Sequence, residues 1–81
     1  MTDSAPQRLL IIDDHPLFRR GVMQLVQMAG QFDVVGEASS GQEGIEMAKR
    51  LAPDMVLLDL NMKDMSGLDV LKVLKSWDND P

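Results

Sequence analysis

Leu9-Leu10-Ile11-Ile12-Asp13-Asp14 and Met55-Val56-Leu57-Leu58-Asp59 are the two stretches that decide the fold, each an unbroken apolar run ending in acid. Strands buried on both faces of a parallel sheet read as continuous apolar runs, and their C-terminal ends open onto the crevice where ligands bind. Asp13, Asp14 and Asp59 are therefore expected to meet at one end of such a sheet. Three carboxylates gathered there repel one another and call for a cation. With no Cys in the chain and His15 as the only His, the donors are nearly all oxygen, which favours a hard ion, Mg²⁺ above all.

Working outward, the strand over Arg8 to Asp13 is followed by Pro16, which suits the first turn of a helix because its missing N–H is not needed there, with Asp14 or His15 placed to cap. The periodicity predicts a helix from Pro16 to Ala29 with Phe18, Val22, Leu25, Val26 and Ala29 inward, Arg19 and Arg20 facing water, and Gly30 as its stop. Phe32 to Ala38 reads as a second strand, less apolar than the first and so nearer a sheet edge. Ser40 and Glu43 form a Ser-x-x-Glu capping box opening a helix to Leu51, with Ile45, Ala48 and Leu51 inward and Pro53 ending it. Asp54 to Asp59 is the third strand and Leu60 to Met65 a loop. Ser66 with Asp69 opens a third helix through Leu68, Leu71, Leu74 and Trp77.

This βαβαβα order implies parallel strands joined by right-handed crossovers, an α/β doubly wound sheet. Residues 1 to 7 are expected to be a flexible leader and residues 8 to 81 one domain. The chain stops after a helix whose usual destination is a fourth strand, leaving the most apolar strand unpaired along one side, so the sequence reads as the front part of a larger fold. Association or aggregation through that edge is expected.

At 81 residues the chain supports one domain whose core is only marginally stabilising. Its net charge of −5 argues against nonspecific nucleic-acid binding, which needs clustered Lys and Arg. The lack of Cys excludes disulfides, thiol catalysis and thiolate metal sites. The N-terminus has neither the basic start nor the apolar run of a signal peptide, and no apolar run approaches a membrane span, so a cytoplasmic protein is expected.

Ile12-Asp13-Asp14-His15-Pro16-Leu17-Phe18-Arg19-Arg20-Gly21-Val22, then Val35-Gly36-Glu37-Ala38, then Leu57-Leu58-Asp59-Leu60-Asn61-Met62 with Met65-Ser66-Gly67-Leu68, closely resembles bacterial response-regulator receiver domains. Within them it looks like the NarL/FixJ class, its nitrate/nitrite regulators in particular, over the whole chain after the leader. The resemblance implies a CheY-like (flavodoxin-like) fold, here its first three βα units. It implies Asp59 as phosphoacceptor, Asp13, Asp14 and Asp59 as Mg²⁺ ligands, and Asn61 as a ligand through its backbone carbonyl. It further implies a phosphohistidine on a sensor histidine kinase, or a small donor such as acetyl phosphate, as the phosphoryl source. The parent protein would regulate transcription through a DNA-binding domain absent from this chain. The physics agrees, since a carboxylate attacking phosphorus is anion meeting anion and needs a divalent ion to offset the charge.

A complete receiver of this family has a Ser or Thr ending its fourth strand and a Lys ending its fifth, both touching the phosphoryl group, and the chain ends before either. It is therefore expected to be a phosphoacceptor rather than an enzyme, poorly or not at all phosphorylated alone. Lys63-Asp64 departs from the Pro-Gly that most relatives carry after Asn-Met. Loss of Pro removes backbone restraint, so a more mobile loop is expected, with Lys63 pairing a nearby acid.

Other residues carry a bland reading beside a sharp one. His15 could be a further metal ligand or a phosphorelay histidine, but a His-Pro step at a helix entrance favours a structural role. Ser66 reads as an N-cap before it reads as a modification site. The seven Met residues fit gap filling better than a binding groove, and Trp77 fits cover for the sheet better than a partner anchor. Arg20 could join kinase docking, since the family uses its first helix for that contact. Two other functional classes stay open. One is a Mg²⁺-dependent phosphohydrolase with Asp59 as nucleophile, though such enzymes want Asp-x-Asp after the first strand. The other is a kinase-binding fragment without phosphotransfer, indifferent to Asp59→Asn.

Overall fold

β1 (Gln7–Ile12) is the middle strand of a three-stranded parallel sheet in the computed structural model of the protein, which describes residues 6–78 and side chains as far as Lys75. β2 (Phe32–Ala38) and β3 (Met55–Leu58) flank it in the order β2-β1-β3. The register pairs Leu9 with Val34 and Met55, and Ile12 with Ala38 and Leu58. A one-residue irregularity between Leu9 and Leu10 shifts the β1–β2 pairing. The most apolar strands are thus the central one and one edge, while β2 forms the other edge as its composition predicts.

The crossovers are α1 (Pro16–Ala29) and α2 (Gly41–Leu51), and α3 (Gly67–Asp78) follows β3. The steps β1 to β2 and β2 to β3 run in opposite directions across the sheet, so right-handed connections put α1 on one face and α2 on the other, with α3 packed beside α2. The core lies on the α2/α3 side. Leu10, Ile12, Ala38, Ala48, Met62 and Val70 are buried there, with Ile45, Val56, Leu58 and Leu74 partly buried against them. Fully burying a side chain the size of Leu10, Ile12 or Val70 stabilises by about 1.5–3 kcal/mol.

Several expectations are corrected. Gln7, assigned to the leader, already pairs with Phe32 in β1; residues 1–5 of that leader lie outside the described residues. α1 buries none of its residues, and Phe18 and Leu25 are 60% and 67% exposed, because among the described residues no other helix shares its sheet face. Only Val22 and Val26 of its apolar stripe are half-buried. In α3 Gly67 and Val70 are buried and Val73 and Leu74 half-buried, whereas Leu68 and Leu71 are exposed, so of the periodic leucines only Leu74 meets the core. Arg19 does not face water, as described below. The side chain of Trp77, expected to cover the sheet, lies outside the described side chains. Among the methionines, Met62 is core and Met47 and Met65 pack against it, while Met28 is exposed.

The caps follow the sequence closely. Gly30 adopts the left-handed conformation at φ 73° that ends α1. Ser40 Oγ accepts from the Glu43 amide, but the Glu43 carboxylate reaches back to the amide and hydroxyl of Ser39, one residue earlier than a capping box requires. Ser66 Oγ accepts from the Asp69 amide at the start of α3. The exposed edge of β3 carries Met55 and Leu57, each 42% exposed.

Candidate metal centre

The backbone delivers the acids. Asp13 N–H donates to Ala38 O (3.0 Å) and Asp59 N–H donates to Ile12 O (2.9 Å), so the ladders on both sides of β1 extend one step past the strands and fix the two Cα positions. Asp14 comes next on the chain, and the four residues Asp13, Asp14, His15 and Asp59 each place one ligand atom within 4.8 Å of the others. All the carboxylates picked from sequence are brought together. Asp13 is buried, Asp14 and Asp59 are half-buried, and His15 is exposed.

Each carboxylate is oriented by a nearby N–H. Asp13 Oδ1 accepts from the His15 amide at 2.8 Å, Asp59 Oδ1 from the Asn61 amide at 3.0 Å, and Asp14 Oδ2 from the Lys63 amide at 3.0 Å. The remaining oxygens Asp14 Oδ1 and Asp59 Oδ2 are buried and have no hydrogen-bond partner. Unpaired buried carboxylate oxygens are costly. Two from different strands at one point form a hard, all-oxygen donor set, which fits a small divalent cation of the Mg²⁺ class. The N-terminus of α3 presses on the same loop, because a Cβ on Gly67 would strike Asp59 O and Leu60 Cα. Gly67 N–H in turn donates to Leu60 O at 3.0 Å.

His15 was not chosen as a ligand, yet its ring enters the cluster. Nδ1 lies 2.9 Å from Asp13 Oδ1, 3.1 Å from Asp14 Oδ1 and 3.4 Å from Asp59 Oδ2. One ring N–H can satisfy one acceptor, and the geometry assigns it to Asp13, so the other two oxygens are near the ring without being hydrogen-bonded. The hydrogen bond to Asp13, then the charge of Asp14, raise the His15 pKa above its ordinary 6.5 against desolvation, which lowers it. At the helix entrance His15 occupies the N-cap position but makes no side-chain cap, which corrects that expectation for both His15 and Asp14. The only sequence signal for its place was its adjacency to Asp14.

Arg19 is a second residue that periodicity missed. Its Nη1 donates to Asp13 O at 2.6 Å and its Nε to Glu37 Oε1 at 3.3 Å, tying the ends of β1 and β2 beneath the acids. A guanidinium one turn into α1 reaches back over the strand end, which helical spacing alone reads as a solvated position.

Comparison with known proteins agrees with this fold. A family profile described as the response regulator receiver domain matches residues 9–81. The nitrate/nitrite response regulator NarL of Escherichia coli K12 is 53% identical over 75 residues, which is 93% of this chain and 35% of that protein. A nitrate/nitrite response regulator homologue from Haemophilus influenzae is 55% identical over 69 residues, 85% of this chain and 33% of that protein. The chain thus spans about a third of the length of these curated relatives. Among solved structures, the receiver domain of a NarL response regulator from Mycobacterium tuberculosis superposes with a TM-score of 0.88 at 39% identity, over 93% of this chain and 60% of that one. The response regulator domain of Thermotoga maritima CheB gives a TM-score of 0.85 at 29% identity, over 89% and 54%.

Proposed function

The chain belongs to the response regulator receiver family, and from that premise we propose that Asp59 accepts a phosphoryl group with Mg²⁺ held by Asp13, Asp14, Asp59 and the backbone carbonyl of Asn61. The observation that supports this most directly is the pair of buried, partnerless oxygens on Asp14 and Asp59, converging from two strands. Bound Mg²⁺ would supply the positive charge that lets one anion approach another. The chain's own part is positioning. The Asn61 amide fixes the rotation of the Asp59 carboxylate, the β1–β3 ladder fixes its Cα, and the Asp13 and Asp14 carboxylates supply the opposing charge. In the transfer an Asp59 oxygen forms a bond to phosphorus as the phosphorus–nitrogen bond of a phosphohistidine breaks, giving an aspartyl phosphate and a neutral imidazole once a proton is taken up.

The donor in this reading is a sensor histidine kinase, the setting is the cytoplasm, and the parent protein regulates transcription through a DNA-binding part of its own. The names of its relatives make nitrate and nitrite the first stimuli to test. Among the described residues no helix is long and apolar enough to cross a membrane.

The test combines Mg²⁺ titration by calorimetry with intact-mass analysis after incubation with acetyl phosphate. Saturable binding weakened by Asp14→Asn and Asp59→Asn, with any added phosphoryl group lost in Asp59→Asn, is the expected result. Phosphoryl uptake that survives Asp59→Asn, or indifference to Mg²⁺, overturns the reading. Kinase binding unaffected by Asp59→Asn, with no uptake, would instead favour a docking fragment.

A further inference from the structure

The loop between β3 and α3 closes on itself. Asn61 and Ser66 form an antiparallel bridge, and the Asn61 amide is bonded to Asp59, so the tip Lys63-Asp64-Met65 is joined to the base at Asp59. That tip is fastened on both sides. The Lys63 amide donates to Asp14 Oδ2, while the Asp64 carboxylate takes the amide of Gly41 on Oδ1 (2.9 Å) and that of Gln42 on Oδ2 (3.0 Å).

The second fastening completes a helix cap across more than twenty residues of chain. A helix leaves its first four N–H groups without intrahelical acceptors. In α2 Asp64 satisfies those of Gly41 and Gln42 and the Ser40 hydroxyl that of Glu43, before the first intrahelical bond runs from Gly44 N–H to Ser40 O. A carboxylate is the favoured group at this end of the helix dipole. The steric fit is equally close, since a Cβ on Gly41 would meet the Met65 side chain, 2.7 Å from its Sδ, and Val70 Cγ2 at 3.0 Å. Both fastenings depend on the two residues that depart from Pro-Gly. Pro at position 63 would have no N–H to offer Asp14, and Gly at position 64 no carboxylate to offer α2.

We propose that Lys63 and Asp64 form a strap holding the acidic site in register with α2, which makes Asp64 a positioning residue for the metal centre. It acts through the loop and touches no ligand atom of the centre. Asp64 fixes the loop tip, the tip presents the Lys63 amide to Asp14, and the base presents the Asn61 amide to Asp59, so two of the three carboxylates depend on one anchored loop. Outer contacts of this kind commonly change metal affinity by 10–100-fold when removed. The proposal rests on the metal reading of Asp13, Asp14 and Asp59, and its test separates the two.

The test pairs amide hydrogen exchange in the absence of metal with Mg²⁺ calorimetry, on the chain itself and on Asp64→Ala, Asp64→Asn, Lys63→Pro and Lys63→Ala. Asp64→Ala is expected to speed exchange at Gly41 and Gln42 and to weaken Mg²⁺ binding about tenfold, at the lower end of that range. Asp64→Asn, which keeps one acceptor oxygen, falls between and covers the case in which the Ala variant does not fold. Lys63→Pro weakens Mg²⁺ binding while Lys63→Ala, which keeps the amide, does not. Faster exchange in Asp64→Ala with Mg²⁺ affinity within about twofold of wild type would reduce Asp64 to a helix cap and overturn the strap. Unchanged exchange at Gly41 and Gln42 would overturn it too, since the hydrogen bonds would not exist in solution. If wild type binds Mg²⁺ and Asp59→Asn abolishes it while both Asp64 variants are silent, the strap fails and the metal reading stands. If wild type binds no Mg²⁺, the metal reading fails and takes the strap's role at the site with it.

Discussion

Asp59→Asn should stabilise the metal-free chain and destabilise it relative to wild type once Mg²⁺ is present, a reversal of sign that few structural roles would produce. Asp59 faces Asp13 and Asp14 in a cluster whose ligand atoms lie within 4.8 Å of one another, so removing its charge relieves two repulsions. At that separation each repulsion is about 1 kcal/mol for a water-like dielectric and about 3.5 kcal/mol for an effective value of 20. Part is offset by His15, whose Nδ1 lies 3.4 Å from Asp59 Oδ2, so the comparison belongs at pH 8 or above, where the ring is less protonated than at neutral pH. The side chain of Asp59 is 18% exposed, which moderates screening without abolishing it. A net gain of about 1–3 kcal/mol for Asp59→Asn in chelator is expected. With Mg²⁺ at a thousand times the wild-type Kd, ligand binding adds about 4.1 kcal/mol to wild type and much less to the variant, so the order inverts. Urea unfolding followed by far-UV circular dichroism, with chelator and with Mg²⁺, reads both numbers. Equal stabilities in chelator, or a variant less stable than wild type there, would refute the picture of mutually repelling carboxylates.

Ile12→Ala removes a fully buried core side chain and should cost about 2–5 kcal/mol, against a total on the order of 4–12 kcal/mol for a domain of this size, so denaturant midpoints should collapse or the chain should not fold. Arg19→Ala should lose about 1–3 kcal/mol by stripping a charged donor from Asp13 O and Glu37, and Arg19→Lys should recover only part of it because one ammonium cannot hold both acceptors at this geometry. Thermal melts across pH should show two limbs in the metal-free chain. The pKa of Glu43 is lowered by the amide and hydroxyl of Ser39, and that of Asp64 by the amides of Gln42 and Gly41; their contributions are present above the usual carboxylate range and lost as pH falls through the lowered values. The His15 pKa is raised, so its contribution is complete below 6.5 and lost as pH rises through the raised value. Glu43→Gln should flatten the acid limb and His15→Gln the other; a profile unchanged by both refutes these assignments.

The strands, their order along the chain and the meeting of Asp13, Asp14 and Asp59 were legible in the sequence, because they rest on local properties. An unbroken apolar run such as Leu9 to Ile12 can be buried on both faces only in the middle of a sheet, and an acid directly after it must emerge at the strand's end. Ser40, Ser66 and Gly30 cap helices through atoms within a few residues of themselves, so their roles were also readable. The inward face of α3 and the exposure of Phe18 and Leu25 were not, since a helical period states which residues share a face without stating which face finds a neighbour. Nor were the contacts that shape the site: the His15 ring among three carboxylates, Arg19 folded back on Asp13, the Lys63 amide on Asp14, and Asp64 at the N-terminus of α2. Each joins a polar group to a partner selected by proximity in space, and no periodicity or composition encodes that choice. The sequence by itself thus determined where charge would gather, while tertiary structure decided which N–H groups would hold it in place, because hydrogen bonds demand distance and direction that only the packed chain supplies.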